Sequence, residues 1–109
     1  MSGSSGNLAL DYDDVDYMEV YEDAVSNIFH EHFYDEKAVL RIYRSSPRHY
    51  HVVITAEKHR TFQELIAIAR KSCSSQGYID RAEKVGYFML RSTGKADGKP
   101  APELVLEIR

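Results

Sequence analysis

The side chains best suited to chemistry in this sequence are cations, histidines and a tyrosine that follow one another between positions 41 and 71. They are Arg41, Tyr43, Arg44, Arg48, His49, His51, Lys58, His59, Arg60 and Lys71. Positive side chains gathered on one surface attract an acidic partner and speed its association. We therefore predict that these residues form one partner-binding patch. The alternative is that the solvent side of a hairpin is simply polar and positive.

The charges of the chain are separated along its length. Residues 1–36 contain ten acidic residues and no lysine or arginine, whereas residues 37–109 contain all fourteen lysine and arginine residues and seven acidic ones. The formal net charge of −3 at pH 7 therefore hides two oppositely charged parts. This asymmetry suggests that the basic part meets an acidic partner. It also raises a second hypothesis, that an acidic helix predicted at residues 15–34, or the tail before it, covers the basic patch within the same molecule and competes with the partner.

Common catalytic and cofactor-binding signatures are absent from the sequence. It contains no Gly-rich phosphate or dinucleotide motif and no HExxH motif. The pairs His30/His32 and His49/His51 do not complete a zinc site without further ligands. Cys73 is the only cysteine, so no internal disulfide can form, and we expect it to be at least half-buried. The sequence predicts a protein that is not an enzyme, with no cofactor and no metal.

The predicted patch needs a scaffold, and the spacing of apolar residues predicts one. Residues 38–43 and 49–55 alternate between apolar and polar side chains, as strands with one buried face do. The Ser-Ser-Pro sequence between them predicts a turn. Residues 62–69 follow a helical period, and Thr61 with Glu64 forms a capping box at the start of the helix. A hairpin that leads into an amphipathic helix is the opening half of a β-grasp fold.

This order of residue types resembles a known family. LRIY, HYHVVIT and TFQELIAIARK look like the first strand, second strand and helix of Ras-associating domains. The resemblance implies a ubiquitin-like β-grasp that binds GTP-loaded Ras or Rap proteins, with the edge of its second strand paired to a strand of the GTPase. It implies that Arg41 faces the acidic switch region and that His51 stands where the family usually has lysine. Lys71 corresponds approximately to a family cation near the helix end.

The segments before the hairpin complete the predicted domain organisation. Residues 1–6 resemble an expression-tag remnant, residues 7–14 a flexible acidic segment, and residues 15–34 an acidic amphipathic helix that precedes a β-grasp domain at residues 37–109. We expect the apolar side of this helix to dock either on the β-grasp or on another part of the protein.

Residues 86–93 and 103–109 alternate again and predict a second hairpin. A Ras-associating domain usually has five strands, and its last strand runs centrally beside the first, so two assignments remain. Either residues 103–109 are the fourth strand and the central one is missing, or they are themselves the central strand, parallel to residues 38–43. We favour the second, because a sheet without its middle strand leaves backbone groups unpaired. The predicted fold class is α+β, a ββαββ β-grasp with a mixed sheet wrapped on one helix.

Other partner classes remain as alternatives to a GTPase. A PB1-like or other ubiquitin-like interaction module would use a basic face against an acidic protein without binding any GTPase, and the acidic helix would cover that face. Nucleic-acid binding is disfavoured by the negative net charge and by the lack of a stacking platform. No apolar run approaches the roughly 20 residues that span a bilayer, so we expect no membrane insertion. We expect a cytoplasmic protein that a lipid-anchored GTPase brings to membranes.

Overall fold

The computed structural model describes residues 7–33, 37–88 and 102–109. Within these ranges the strands are β1 Leu8–Asp13, β2 Ala38–Ser46, β3 His49–Ala56 and β4 Glu103–Ile108. Helix α1 runs without interruption through three stretches, Tyr17–Tyr21, Glu22–Phe29 and His30–His32, and is followed by α2 Phe62–Ala69 and α3 Gln76–Val85. The described part of the chain has an α+β architecture built on one four-stranded sheet.

The sheet has the strand order β1-β3-β2-β4, and each neighbouring pair is antiparallel. The predicted hairpin of β2 and β3 is confirmed. Since β1 and β2 both run antiparallel to β3, they are parallel to each other, and with α1 they form a split β-α-β unit.

The predicted position of the last strand is wrong. Strand β4 pairs with the outer side of β2 and runs antiparallel to it, with Ile108 opposite Leu40 and Leu106 opposite Ile42, so no mixed sheet with a parallel central strand is formed by the described strands. Alternation shows which side chains face the core, but it is the same in parallel and antiparallel strands. The sequence pattern therefore could not distinguish the two directions.

The prediction that residues 7–14 are flexible is also wrong, because most of them form β1. Leu8, Leu10 and Tyr12 are at most 2% exposed, and the small or acidic residues between them face away from the core. This alternation is the period of a strand, but the acidic composition of the segment hid it.

The core lies between one face of the sheet and the helices. The buried apolar residues from the helices are Val20, Ala24, Val25, Ile28, Phe29, Leu65, Ile66, Ala69, Ile79 and Ala82, and those from β2 and β3 are Ala38, Leu40, Ile42, Tyr50, Val52 and Ile54. The alternate strand residues point to the opposite side, which is called the open face below. None of the described helices covers that side.

Helix α1 begins at Asp16, which accepts a hydrogen bond from the Glu19 N–H at 2.9 Å, while the Glu19 carboxylate accepts one from the Asp16 N–H at 3.2 Å. Its middle stretch is wound more widely, since the His30 N–H donates to the Val25 carbonyl five residues earlier. The helix occupies most of residues 15–34. However, it lies between β1 and β2 in the chain and packs into the shared core, so it does not precede a separate domain.

Helix α2 matches the predicted helix and its capping box. The Glu64 N–H donates to Thr61 Oγ1 at 3.1 Å, and the Thr61 N–H donates to Glu64 Oε1 at 2.8 Å. The backbone hydrogen bond from Thr61 lowers the pKa of Glu64. Leu65, Ile66 and Ala69 are buried as expected, so α2 is fixed against the sheet with a defined start.

Helix α3 contributes the buried side chains Ile79 and Ala82 to the core. Ser75 caps its start, and it ends at Gly86, whose φ of 92° lies in the left-handed region that glycine adopts easily. Most of the predicted strand at residues 86–93 lies outside the described residues. None of the helices within the described ranges has the length and apolar character that a bilayer span requires.

Candidate functional site on the open face of the sheet

The open face brings together four of the predicted site residues. It is formed by Ala9, Asp11 and Asp13 of β1, His49, His51 and Val53 of β3, Val39, Arg41 and Tyr43 of β2, and Leu104 and Glu107 of β4. Directly opposed residues of antiparallel strands have side chains on the same face, about 5 Å apart. Arg41, Tyr43, His49 and His51 are therefore neighbours, as the sequence predicts.

The two histidines of the open face lie beside carboxylates of β1. His49 Nδ1 is 2.9 Å from Asp13 Oδ1, and His51 Nε2 is 3.4 Å from Asp11 Oδ1. Burial raises the pKa of Asp11, the charge of Asp13 raises it further, and His51 and His49 lower it. The four side chains thus form one electrostatic group.

Arginines of β2 lie beside carboxylates of β4. Arg41 Nε is 2.9 Å from Glu107 Oε1, and Arg44 Nη2 is 3.1 Å from Glu103 Oε1. Glu107 also pairs with Arg109 at 2.7 Å, and the hydrogen bonds from Arg41 and Arg109 lower the pKa of this carboxyl. Both strands that flank the central hairpin therefore supply acids to it.

The turn between β2 and β3 is tied to the end of β1. Arg48 Nε lies 2.9 Å from Asp14 Oδ1, Arg48 Nη2 donates to the Asp14 carbonyl at 3.0 Å, and the Val15 N–H donates to the Arg48 carbonyl at 3.1 Å. The hydrogen bond to the Asp14 carboxylate raises the pKa of Arg48. Arg48 and Asp14 have positive φ angles of 65° and 57°, which are uncommon for residues other than glycine. Their mutual contacts hold two unfavourable backbone conformations in place.

These contacts correct the prediction of a basic patch. Among the predicted site residues, those that face a carboxylate are Arg41, Arg44, Arg48, His49 and His51. Their partners come from residues 11–14 and 103–107, which are distant in sequence and adjacent in the sheet. The open face is consequently mixed in charge rather than positive.

The other predicted site residues lie elsewhere. Arg60 is only 6% exposed, donates to the His32 carbonyl at 3.2 Å and stands 4.4 Å from the centre of the Phe33 ring. Burial lowers the pKa of His32, and the nearby charge of Lys71 lowers it further, which puts Lys71 near the end of α1 on the helical side. Lys58 and His59 are exposed in the loop before α2. The predicted patch is therefore divided between two parts of the molecule.

The expected docking edge of the second hairpin strand is occupied. β3 pairs with β1 from Leu8 opposite Ile54 to Asp13 opposite His49, and with β2 on its other side. An inner strand has no row of unpaired backbone groups to offer to another chain. The chain's own β1 stands where the resemblance places a strand of the GTPase.

A buried polar group that the sequence did not indicate connects β1, α1 and the loop after α2. Asp23 is 5% exposed and accepts hydrogen bonds from Tyr12 Oη at 2.6 Å, from the Cys73 N–H at 2.7 Å and from Asn27 Nδ2 at 2.9 Å. The Cys73 side chain is exposed, contrary to expectation, and the charge of Asp23 raises its pKa. A raised pKa makes this thiol less reactive, so we assign the group a structural role.

The side chains of the described residues do not bring three histidine, cysteine or carboxylate groups into a metal-binding arrangement. Comparison of the chain with protein-family models, with curated proteins and with solved structures found no match. The open face is therefore the feature from which we infer a function.

Proposed function

We propose that this chain is a non-catalytic protein-interaction module that binds a partner protein through the open face of its sheet. The observation that carries the proposal is a set of apolar side chains on this face, called the apolar group below: Val39, Tyr43 and Val53 are half-exposed and Leu104, opposite Tyr43, is 47% exposed. The ion pair of Arg41 with Glu107 lies among them, and His51 lies opposite Tyr43. Exposed apolar and aromatic side chains next to polar ones are typical of protein interfaces.

The flanking ion pairs favour binding by a preformed surface. Arg41 is held by Glu107 from β4, and His49 by Asp13 from β1. Side chains that are already ordered lose less conformational entropy when a partner covers them. Such exposed pairs contribute little to the free energy of folding. Their role is to hold the charged side chains of the binding surface in position.

The partner class that we propose is a Ras- or Rap-type small GTPase in its GTP form. The three segments that resemble a Ras-associating domain form β2, β3 and α2 in the expected order, which supports a ubiquitin-like arrangement for that part of the chain. Because β1 pairs with β3, we propose docking on the open face and not strand addition to β3. In a cell, the lipid anchor of the GTPase would bring the cytoplasmic module to a membrane.

A second candidate is an interaction module that binds no GTPase, as the PB1-like alternative supposes. The observation in its favour is that Arg41, His49 and His51 already face carboxylates of the same chain. These carboxylates weaken the attraction to an acidic switch region, because they present like charge to it. In this alternative the partner would recognise the apolar group and not the cations.

The two candidates differ in an amide-shift titration with the GTPase in its two nucleotide states. With the GTP form we expect shifts at Arg41, Tyr43 and His51, and with the GDP form we expect none. Tyr43→Ala should weaken binding about tenfold. Tyrosine is common among the interface residues that dominate binding, and truncating such a residue costs about 1 kcal/mol or more of binding free energy. Tyr87→Ala is the matched control, because Tyr87 is 57% exposed and lies after α3, outside the open face.

Three results are informative in this titration. Shifts that appear with the GTP form only and map to the open face support the GTPase proposal. Equal shifts with both nucleotides, or shifts confined to α3, contradict it. No shift with either form supports the second candidate.

A further inference from the structure

Two histidines and two aspartates meet on the open face. His49 and His51 are two residues apart on β3, and they lie directly opposite Asp13 and Asp11 on β1. The ring nitrogen and carboxylate oxygen are 2.9 Å apart in the first pair and 3.4 Å apart in the second. Strand register therefore assembles a His-x-His sequence and an Asp-x-Asp sequence into one cluster.

The spacing of the two histidines suits a shared metal ion. Residues i and i+2 of a strand lie on the same face and are about 7 Å apart along it. An imidazole nitrogen binds zinc at about 2 Å, and a histidine side chain is long enough for two rings to turn toward one ion between them. The side chain of His49 is 45% exposed, so its ring has room to turn.

The aspartates supply the other parts of such a site. Histidines that bind metals usually place their second ring nitrogen against a carboxylate, which fixes the ring. Asp13 does this for Nδ1 of His49 and leaves Nε2 available, while Asp11 lies against Nε2 of His51 and leaves Nδ1 available. Asp11 and Asp13 also repel each other, and a cation between the strands would relieve that repulsion.

We propose that His49 and His51, with a carboxylate of Asp11 or Asp13, bind a divalent transition-metal ion on the open face. Imidazole and carboxylate ligands suit zinc, nickel and copper. The described side chains do not converge on such a point as they stand, so binding turns one or both rings toward the ion. The sequence alone argued against a metal, because the two histidines had no further ligands until β1 was placed beside β3.

Titration of the whole chain with Zn²⁺ alone tests the site. We expect saturable binding of one ion by calorimetry, with shifts of the ring resonances of His49 and His51. His49→Ala and His51→Ala should each weaken binding by about tenfold or more, and Asp13→Asn by about tenfold, in line with the usual cost of losing a carboxylate partner. His59→Ala is the matched control, because His59 is exposed before α2, and this change should leave binding unaltered.

Proton competition gives an independent readout. A metal-binding histidine must be neutral, so binding should weaken when the pH falls from about 7.5 to about 5.5. The titratable groups that face the two histidines are Asp11 and Asp13 from β1 and Tyr43 from β2. A Zn²⁺ affinity that does not change over this range contradicts binding by the two histidines.

Several outcomes would overturn the site. They are the absence of saturable Zn²⁺ binding, ring shifts at His30 or His59 instead of His49 and His51, or an equal loss of affinity in His59→Ala. Melting curves recorded without metal show whether each variant is folded. If His51→Ala unfolds, His49→Gln at the more exposed position carries the test, and unchanged affinity in that folded variant refutes the proposal. The titration contains no GTPase, so its result is independent of the proposed partner.

Discussion

Asp23 lies inside α1, next to exposed acidic residues on the same helix, and is itself 5% exposed. The acidic composition of residues 11–23 does not distinguish Asp23 from the other acidic residues of that segment. Its burial follows from the position of β1, which brings the Tyr12 hydroxyl to 2.6 Å. A buried carboxylate requires such donors, since an unpaired one is costly.

Tyr12→Phe should lower the free energy of unfolding by about 1 to 3 kcal/mol, the range for a hydrogen bond to a carboxylate inside a protein. Urea denaturation measures this change. Tyr43→Phe is the control, because its hydroxyl lies at the half-exposed open face, and we expect a change within about 0.5 kcal/mol. Equal stability of Tyr12→Phe and the unmodified chain would contradict the structural role of the Tyr12 hydroxyl.

The raised pKa of Tyr12 predicts that the free energy of unfolding depends on pH. Burial raises the pKa of Tyr12 strongly, and the hydrogen bond to Asp23 and the charge of Asp23 raise it further. A phenol in the unfolded chain ionises near pH 10, roughly, whereas the folded chain keeps Tyr12 neutral. Its contribution is therefore complete below about pH 10 and is lost as the pH rises. In urea denaturation, the decrease between about pH 9 and about pH 11 should be smaller in Tyr12→Phe.

At the scale of the elements, Arg60 joins the end of α1 to the beginning of α2. It donates to the His32 carbonyl at the end of one helix, where cations complement the helix dipole, and it stacks on the Phe33 ring. It also stands directly before Thr61, the cap of the other helix. The sequence predicts Arg60 as part of a binding patch because the residue type gives its charge, whereas its burial depends on the fold.

Arg60→Ala should lower the free energy of unfolding by about 1 to 3 kcal/mol, because a desolvated cation–ring contact and a hydrogen bond are lost together. Arg60→Lys should recover only part of this, since lysine lacks the planar fork of arginine. Lys58→Ala is the matched control at an exposed cation in the same loop, with no change expected. If Arg60→Ala weakened partner binding without altering thermal stability, Arg60 would belong to the binding site after all.

For the whole molecule, the separation of charge along the sequence becomes contact between opposite charges in the fold. The acidic first third of the chain contributes β1 and α1, and β1 lies beside the histidines of β3. The acids that lie beside the predicted basic residues of β3 therefore come from β1 and not from the helix. Since Leu8 and Leu10 of this strand are at most 1% exposed, their burial stabilises the fold by about 3 to 6 kcal/mol. A loss of this size is comparable with the net stability of a domain, roughly 5 to 15 kcal/mol.

Deletion of residues 7–33 should therefore abolish cooperative unfolding, because it removes β1 and α1 from the shared core. Near-ultraviolet circular dichroism and amide dispersion measure the loss. The milder variant Leu10→Ala should remain folded and lose about 2 to 5 kcal/mol, whereas Ala9→Ser on the open face should change little. A deleted chain that stayed folded and bound the GTP-loaded GTPase more tightly at low salt would show instead that the acidic segment is a removable cover.

The sequence by itself determined the elements whose signals are local. The strands at 38–43 and 49–55, their hairpin, and α2 with its Thr61 cap follow from periods and capping residues within a few positions of each other. Only the tertiary structure decided that β1 closes the edge of β3, that β4 runs antiparallel to β2, and that Asp11 and Asp13 meet His51 and His49. The physical reason is that these two strand pairings join residues 36 to 68 positions apart, and alternation within a strand specifies its buried side without specifying its neighbour.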